Sequence, residues 1–334
     1  MLSRLTALSL LALLALPLPA ATTLKIATIA PDGTSWMKQM RAAAQQIEQK
    51  SEGRVKLRFY PGGVMGNDNS VLRKIRVGQL HGGAITGGGL SLVYPDSQLY
   101  TLPFQFRTLQ EVDAVRRVMD PLIIDNLRKA GYLSFGLSEG GFAYLLSDVP
   151  VKTTDDLQRL KIWIPEGDEV NARMFNAMDI SPIPLPLTDV MTGLQTGLID
   201  TIASSPIGAI ALQWHTRVKY LTQVPLAYLY ATLVIREKAM EKLDLQDRKL
   251  VEATLQATFS ELDRQNRQDN LQALEALRQQ GIKFVQPSLA QRRAWESHAN
   301  QTLKSLATEG LFSPEMLRQM QNLIQAERKT AHNH

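Results

Sequence analysis

The chain has 334 residues, a formal net charge of +5, 44% hydrophobic and 21% charged residues, and no cysteine. That hydrophobic share belongs to a packed globular protein and excludes a disordered one, and the length exceeds one typical domain and suits two α/β lobes. Lysine and arginine are scattered without a clustered block, which argues for a solvated basic surface and against nucleic acid as a partner. The missing cysteine excludes disulfides, thiolate metal sites and an acylated-cysteine anchor.

The N-terminus reads as a targeting segment over residues 1–21. Arg4 supplies the positive start, Leu5–Leu18 the short apolar core, and Pro17, Pro19, Ala20 and Ala21 a small-residue end. Cleavage is expected near Ala20 or Ala21. The apolar run falls short of the roughly 20 residues that a membrane span needs, so the expected product is secreted and soluble.

Leu24–Ile29 follows as a strand that ends in the turn-forming run Ala30–Gly33. Thr34 or Ser35 then caps a helix with Trp36, Met40, Ala43, Ala44 and Ile47 on one face. Val55, Leu57 and Phe59 alternate with Lys56, Arg58 and Tyr60, the pattern of a half-buried strand. A helix near Asn69–Val77 stops at Gly78. The glycine-rich stretch His81–Gly89 lacks both the Gly-Lys-Ser/Thr ending and the G-x-G-x-x-G spacing of a phosphate cradle. It reads instead as a strand over Gly83–Thr86, whose Gly87 and Gly88 allow close approach to a ligand or an opposing lobe, because glycine has no Cβ. Glu111–Ala130 reads as one or two helices broken at Pro121. Leu133–Leu137 and Phe142–Ser147 are strands joined by Ser138–Gly141.

Leu160–Pro206 is the most regular part of the chain. Lys161–Ile164 is a short strand stopped by Pro165. The helix near Asp168–Met178 places Val170, Met174, Ala177 and Met178 on one face. After a Pro-rich strand, Thr188 caps the next helix with Asp189 in its first turn, Gly197 supplies a left-handed C-cap, and Leu198–Ala203 returns as a strand. Alternation of this kind predicts parallel strands with crossover helices. Ligands bind outside the carboxyl ends of such strands, which makes Trp163–Glu166 and Thr201–Ser205 candidate walls of one site. Gln246–Gln280 is a long helical run with Val251, Leu255, Phe259 and Leu262 on one face. Trp295, Leu303, Leu306, Met316 and Leu323 mark outer helices, and the last residues, from 326, read as a frayed tail.

No catalytic set survives inspection. His81, His215 and His298 lie far apart and share no motif with a serine or carboxylate, and G-x-S-x-G and H-E-x-x-H are absent. Neither an enzyme, a cofactor nor a metal site is expected.

The motifs, taken in order, resemble the solute-binding proteins of tripartite ATP-independent periplasmic (TRAP) transporters. They are Gly33–Trp36 (GTSW), Gly53–Gly63, Leu102–Phe106 (LPFQF), Lys161-Ile-Trp-Ile-Pro165 and Leu194-Gln-Thr-Gly-Leu-Ile-Asp200. The resemblance covers nearly the whole mature chain. It implies a two-lobed α/β periplasmic-binding-protein fold of type II-like topology. Lobe I would take residues 22–140 and 229–268, and lobe II residues 141–228 and 269–325. It further implies crossings at Ser138–Gly141 and Ala227–Ile235, a long bracing helix, a periplasmic location, and a two-component membrane permease as partner.

The resemblance also implies an arginine at the third position of K-I-R-V-P that clamps the ligand's carboxylate, and this chain has Trp163 there. A second arginine position, in a G-x-R pattern, falls on Ala143. An aromatic position falls on Leu187, and a polar Asn on Ser204 or Ser205. A carboxylate desolvated among such groups without a cation is costly. The expectation is therefore a neutral, aromatic or lipid-like ligand rather than a simple dicarboxylate. It would stack on Trp163 within a site of Trp36, Gly87, Gly88, Ala143, Pro165, Glu166, Leu187, Ser204, Ser205, Leu226 and Tyr230. Two alternatives are an organic-acid binder that uses Arg173, Arg217 or Arg76, and a sensor or accessory subunit without cargo.

Overall fold

The computed structural model describes residues 21–332; the expected signal segment lies outside these residues, apart from Ala21. Lobe I opens with β1 (Thr22–Ala27), α1 (Ser35–Lys50), β2 (Val55–Tyr60), α2 (Asp68–Arg76) and β3 (Gly82–Thr86). The helices start where side chains can satisfy free backbone donors: Thr34 accepts from Met37 N, and Asn67 accepts from Ser70 N. β1 pairs in parallel with both β2 and β3, so all three carboxyl ends open on one side. α3 (Leu109–Lys129) runs unbroken through Pro121, contrary to the break expected from sequence. Packing of Val112, Val115, Met119, Ile123 and Leu127, all buried, outweighs the one hydrogen bond that proline removes.

β4 (Tyr132–Ser134), β5 (Ser138–Ser147) and the 17-residue β9 (Tyr220–Arg236) complete the central sheet. Its order is β2-β1-β3-β9-β5-β8, with β8 at Thr201–Ser204. Ser138–Gly141, expected to join two strands, is itself strand. The lobe crossing is a register shift between Glu139 and Gly141 against β9, and Gly141 takes φ 86°.

Lobe II adds α4 (Thr154–Leu157), β6 (Trp163–Pro165), α5 (Glu169–Asn176), β7 (Ile183–Leu185), α6 (Val190–Thr196) and α7 (Pro206–Ala211). Gly197 ends α6 in the left-handed conformation, φ 70°, as its position predicts. Thr188 does not cap α6: it lies in a short 3-10 turn and its hydroxyl donates to Asp189.

α8 (Glu237–Met240) leads into α9 (Leu245–Gln279), which braces both halves. Val251, Leu255, Phe259 and Leu262 of α9 pack with α1 and β1, whereas Leu274 and Leu277 pack with Trp163 and Trp214. After β10 (Lys283–Val285), α10 (Leu289–Thr308) buries Trp295 beside α5 residues and Leu303 and Leu306 beside α3 residues. α11 (Pro314–His332) packs Leu317, Met320 and Ile324 into the α3 core, so it sits on lobe I rather than in lobe II. The stretch expected to fray is helical through residue 332, and Arg328 is held by the buried Glu111 at 2.8 Å.

The crossing is tied to α9 and α3 by charge. Glu139, 2% exposed, accepts from Arg267 and from the Tyr228 hydroxyl. Arg116 pairs with Asp120 and Asp263 and donates to Leu137 O. Buried charges arranged this way are each matched by a partner and hydrogen-bonded, which keeps their burial affordable.

Candidate functional site

The loops after β2 in lobe I meet the loops after β6 and β7 in lobe II. Asn67 Nδ2 donates to Glu166 Oε2 at 2.8 Å across the seam. Two other glycine positions mark close approach: a Cβ on Gly63 would lie 2.8 Å from Thr188, and one on Gly167 3.5 Å from Asn69. Val170 and Met174 of α5 reach into the core built mainly by lobe I. The lobes therefore stand closed at this edge.

On the lobe I side, Asp68 begins α2 and accepts from Thr86 N at 3.2 Å and from Thr86 Oγ1 at 2.6 Å. Its carboxylate lies deep among protein atoms although the residue keeps some exposed surface. Burial pushes the carboxyl up to about 6, against the opposing pull of the two Thr86 bonds. No basic group pairs with it among the described residues. Gly89 is glycine because a Cβ there would lie 2.2 Å from Asp68 Oδ2.

The glycine run divides in two. Gly87 N–H donates to Tyr230 O, and a Cβ on Gly87 would lie 2.3 Å from the Tyr230 ring. Tyr230, 3% exposed, donates its hydroxyl to Ser97 O. Gly87 and Tyr230 are thus packing partners, and Tyr230 is core, not a ligand wall. Gly88 differs: it is exposed, has open space where a Cβ would stand, and its N–H has no acceptor among the described residues.

On the lobe II side, Pro165 and Glu166 are exposed at the end of β6. Asp168 caps α5, accepting from Asn171 N and Nδ2; burial raises its carboxyl too, and it has no basic partner among the described residues. Ser204 and Ser205 end β8, both 5% exposed. Ser205 caps α7 by accepting from Gly208 N, while its own backbone N–H is left without an acceptor among the described residues. A buried donor in that state marks a place completed by a bound group or a water.

Trp163 does not line the seam. It is 4% exposed, donates its indole N–H to Leu185 O at 3.0 Å and packs edge-on against Trp214 with ring centroids 5.4 Å apart. A flat ligand has no free face of this ring to stack on. Trp36 is half-buried against the core between α1 and α9. Ala143 is buried opposite Ala227 in the crossing, and Leu187 packs on the Trp163 core one residue before the seam residue Thr188. Leu226 lines an apolar cavity of about 20 Å³ with Phe104, Phe175 and Trp295. That space holds about one water and no lipid.

Of the substitute arginines, Arg173 is taken by Glu169 and Glu309. No ion pair joins the two lips of the seam among the described residues; their direct tie is the neutral amide of Asn67 on Glu166. Sequence reasoning missed Asn67, Asp68, Thr86 and Asp168. The run Gly66-Asn-Asp-Asn69 between a strand and a helix carried the signal for the first two.

Two α/β lobes joined by crossing strands, with free polar groups where their strand ends converge, define a binding protein that closes on a small solute. The profile of the bacterial extracellular solute-binding proteins, family 7 (DctP), matches residues 26–309, and the chain belongs to that family. It is 23% identical over 277 residues to the sialic acid-binding periplasmic protein SiaP of Vibrio cholerae, covering 81% of this chain and 84% of that one. Among solved structures, it resembles a TRAP periplasmic solute-binding protein of Sulfurospirillum deleyianum with bound succinate. There the TM-score is 0.83 at 18% identity, with 91% of this chain and 99% of that one covered. One from Haemophilus influenzae with bound L-gulonate gives 0.82 at 18% identity, with 90% and 99% covered.

Proposed function

We propose that this chain captures a small hydroxylated organic acid with a single carboxylate between its lobes, in the periplasm, and hands it to a TRAP-type membrane permease. The observation that carries the reading is the pair of uncommitted backbone donors, Gly88 N–H and Ser205 N–H, one at each facing strand end. Neutral donors of this kind can hold one carboxylate at less strength than a bidentate guanidinium. Asp68 and Asp168, without basic partners, supply acceptors for ligand hydroxyls and oppose a second negative charge. The relatives support the acid: SiaP is named for sialic acid, and two similar structures hold succinate and L-gulonate. The aromatic or lipid-like ligand loses its basis, because Trp163 is enclosed and the apolar cavity is about 20 Å³.

The test is a thermal-shift series on the secreted protein with L-gulonate, D-galacturonate, succinate and palmitate, since a ligand that favours the folded state raises the melting temperature. The expected result is a rise with the sugar acids and a smaller one with succinate. A rise with succinate alone, or with palmitate alone, overturns the reading.

A further inference from the structure

α9 changes cores between Leu262 and Leu274. Leu262 still packs with lobe I, Leu274 already packs with lobe II, and between them Asn270 is 8% exposed with its amide fully engaged. Its Nδ2 donates to Gly140 O at 3.1 Å in the crossing strand and to Asn266 O at 3.0 Å in its own helix. Its Oδ1 accepts from Ile207 N at 3.3 Å, in the first turn of α7 directly after Ser204 and Ser205. This is the only hydrogen bond between α9 and α7 among the described residues. The crossing is shaped for it: Gly141 takes φ 86°, and a Cβ there would lie 2.6 Å from Asn270 Nδ2.

We propose that Asn270 is a positioning residue that couples the ligand wall at Ser204–Ser205 to the Gly140–Gly141 crossing where the lobes turn. The proposal rests on a ligand being held between the lobes. A group bound at Ser205 fixes the start of α7, α7 fixes Asn270 through Ile207, and Asn270 fixes the crossing through Gly140. One turn further along, α9 borders a depression of about 330 Å³ between Leu271 and Leu274 and the strand residues Gln223 and Pro225. On its other side the helix packs into the lobe II core through Leu274 and Leu277, and the polar tie adds a directional link to that packing.

The absence of cysteine gives a clean background for paired spin labels at Lys38→Cys on lobe I and Lys152→Cys on lobe II, both exposed. The interlobe distance distribution and amide exchange are compared between the full chain and its Asn270→Ala and Asn270→Ser forms, without ligand and with L-gulonate. In the unliganded Asn270→Ala protein the distribution lengthens or broadens. Exchange rises roughly fivefold both at Ile207–Gly208 and at Gly141–Phe142, as loss of about one net hydrogen bond implies. Asn270→Ser, small enough for the same space, carries the comparison should Asn270→Ala not fold. An unchanged distribution, or loosening confined to one segment, overturns the coupling and leaves Asn270 a local strap. Because the distances are read without ligand, failure of the proposed cargo leaves this result standing. Failure to respond to L-gulonate alone counts only against the cargo.

Discussion

Asp68→Asn tests whether the lip of lobe I holds a strained carboxylate. Burial moves its carboxyl from 3.8 to about 6. Two units of raised pKa amount to a cost of about 3 kcal/mol once the group is ionised. The sign follows from proton binding. Between pH 4 and 6 the folded protein holds the proton that the unfolded chain has already released, so stability is lost as pH rises through that window. Above it the full cost is present. Asparagine removes the charge and keeps a side-chain oxygen that can accept both Thr86 bonds, but adds an amide with no evident acceptor. A net gain of about 1 to 2 kcal/mol at pH 8 remains, which turns into a net loss of about 1 kcal/mol at pH 4, where the folded aspartic acid is protonated and only the amide's penalty is left. Urea titrations of both proteins at pH 4, 6 and 8 measure it. An Asp68→Asn protein weaker than its parent at pH 8, or a difference constant across the three pH values, refutes the argument and points to a stabilising partner for the ionised form.

Gly87→Ala and Gly88→Ala should separate cleanly. The first forces a methyl to 2.3 Å from the Tyr230 ring and costs at least about 1 to 3 kcal/mol, whereas the second meets open space and leaves the melting temperature nearly unchanged. Trp163→Arg, which restores the arginine of the resembled motif, should cost about 3 kcal/mol or more by placing a charge in the core beside Trp214, seen as a lower urea midpoint; full stability with gained succinate binding would show that the ring can leave that core. Ser205→Ala should lose about 1 kcal/mol of stability as the α7 cap disappears, measured by thermal melting; an unchanged melting temperature would show that the cap contributes nothing.

How much was legible beforehand varies with the physics of each element. The helix faces of α1 and α9 could be read because an amphipathic period survives in any tertiary setting, whereas around α5 Val170, Met174 and Met178 are buried as read but Ala177 is exposed and Phe175 is buried instead. The Gly197 cap could be read because a left-handed residue at a helix end is nearly a glycine monopoly. Pro121 was misread, since what keeps α3 whole is its buried face, which lies on other elements. Thr188 was misread as a cap for a related reason: its position is decided by the opposing lobe at Gly63, far away in sequence.

By itself the sequence determined the alternation of strand and helix, the two-lobed class and the family, because periodicity, caps and motif order are local or serial properties. Only the tertiary structure decided which residues face the seam. Trp163 and Tyr230 turned inward because Leu185 O and Ser97 O, brought beside them by folding, satisfy their polar atoms. Asp68 was left without a basic partner and Ser205 with a free backbone N–H for the converse reason: among the described residues no further group returns to complete them.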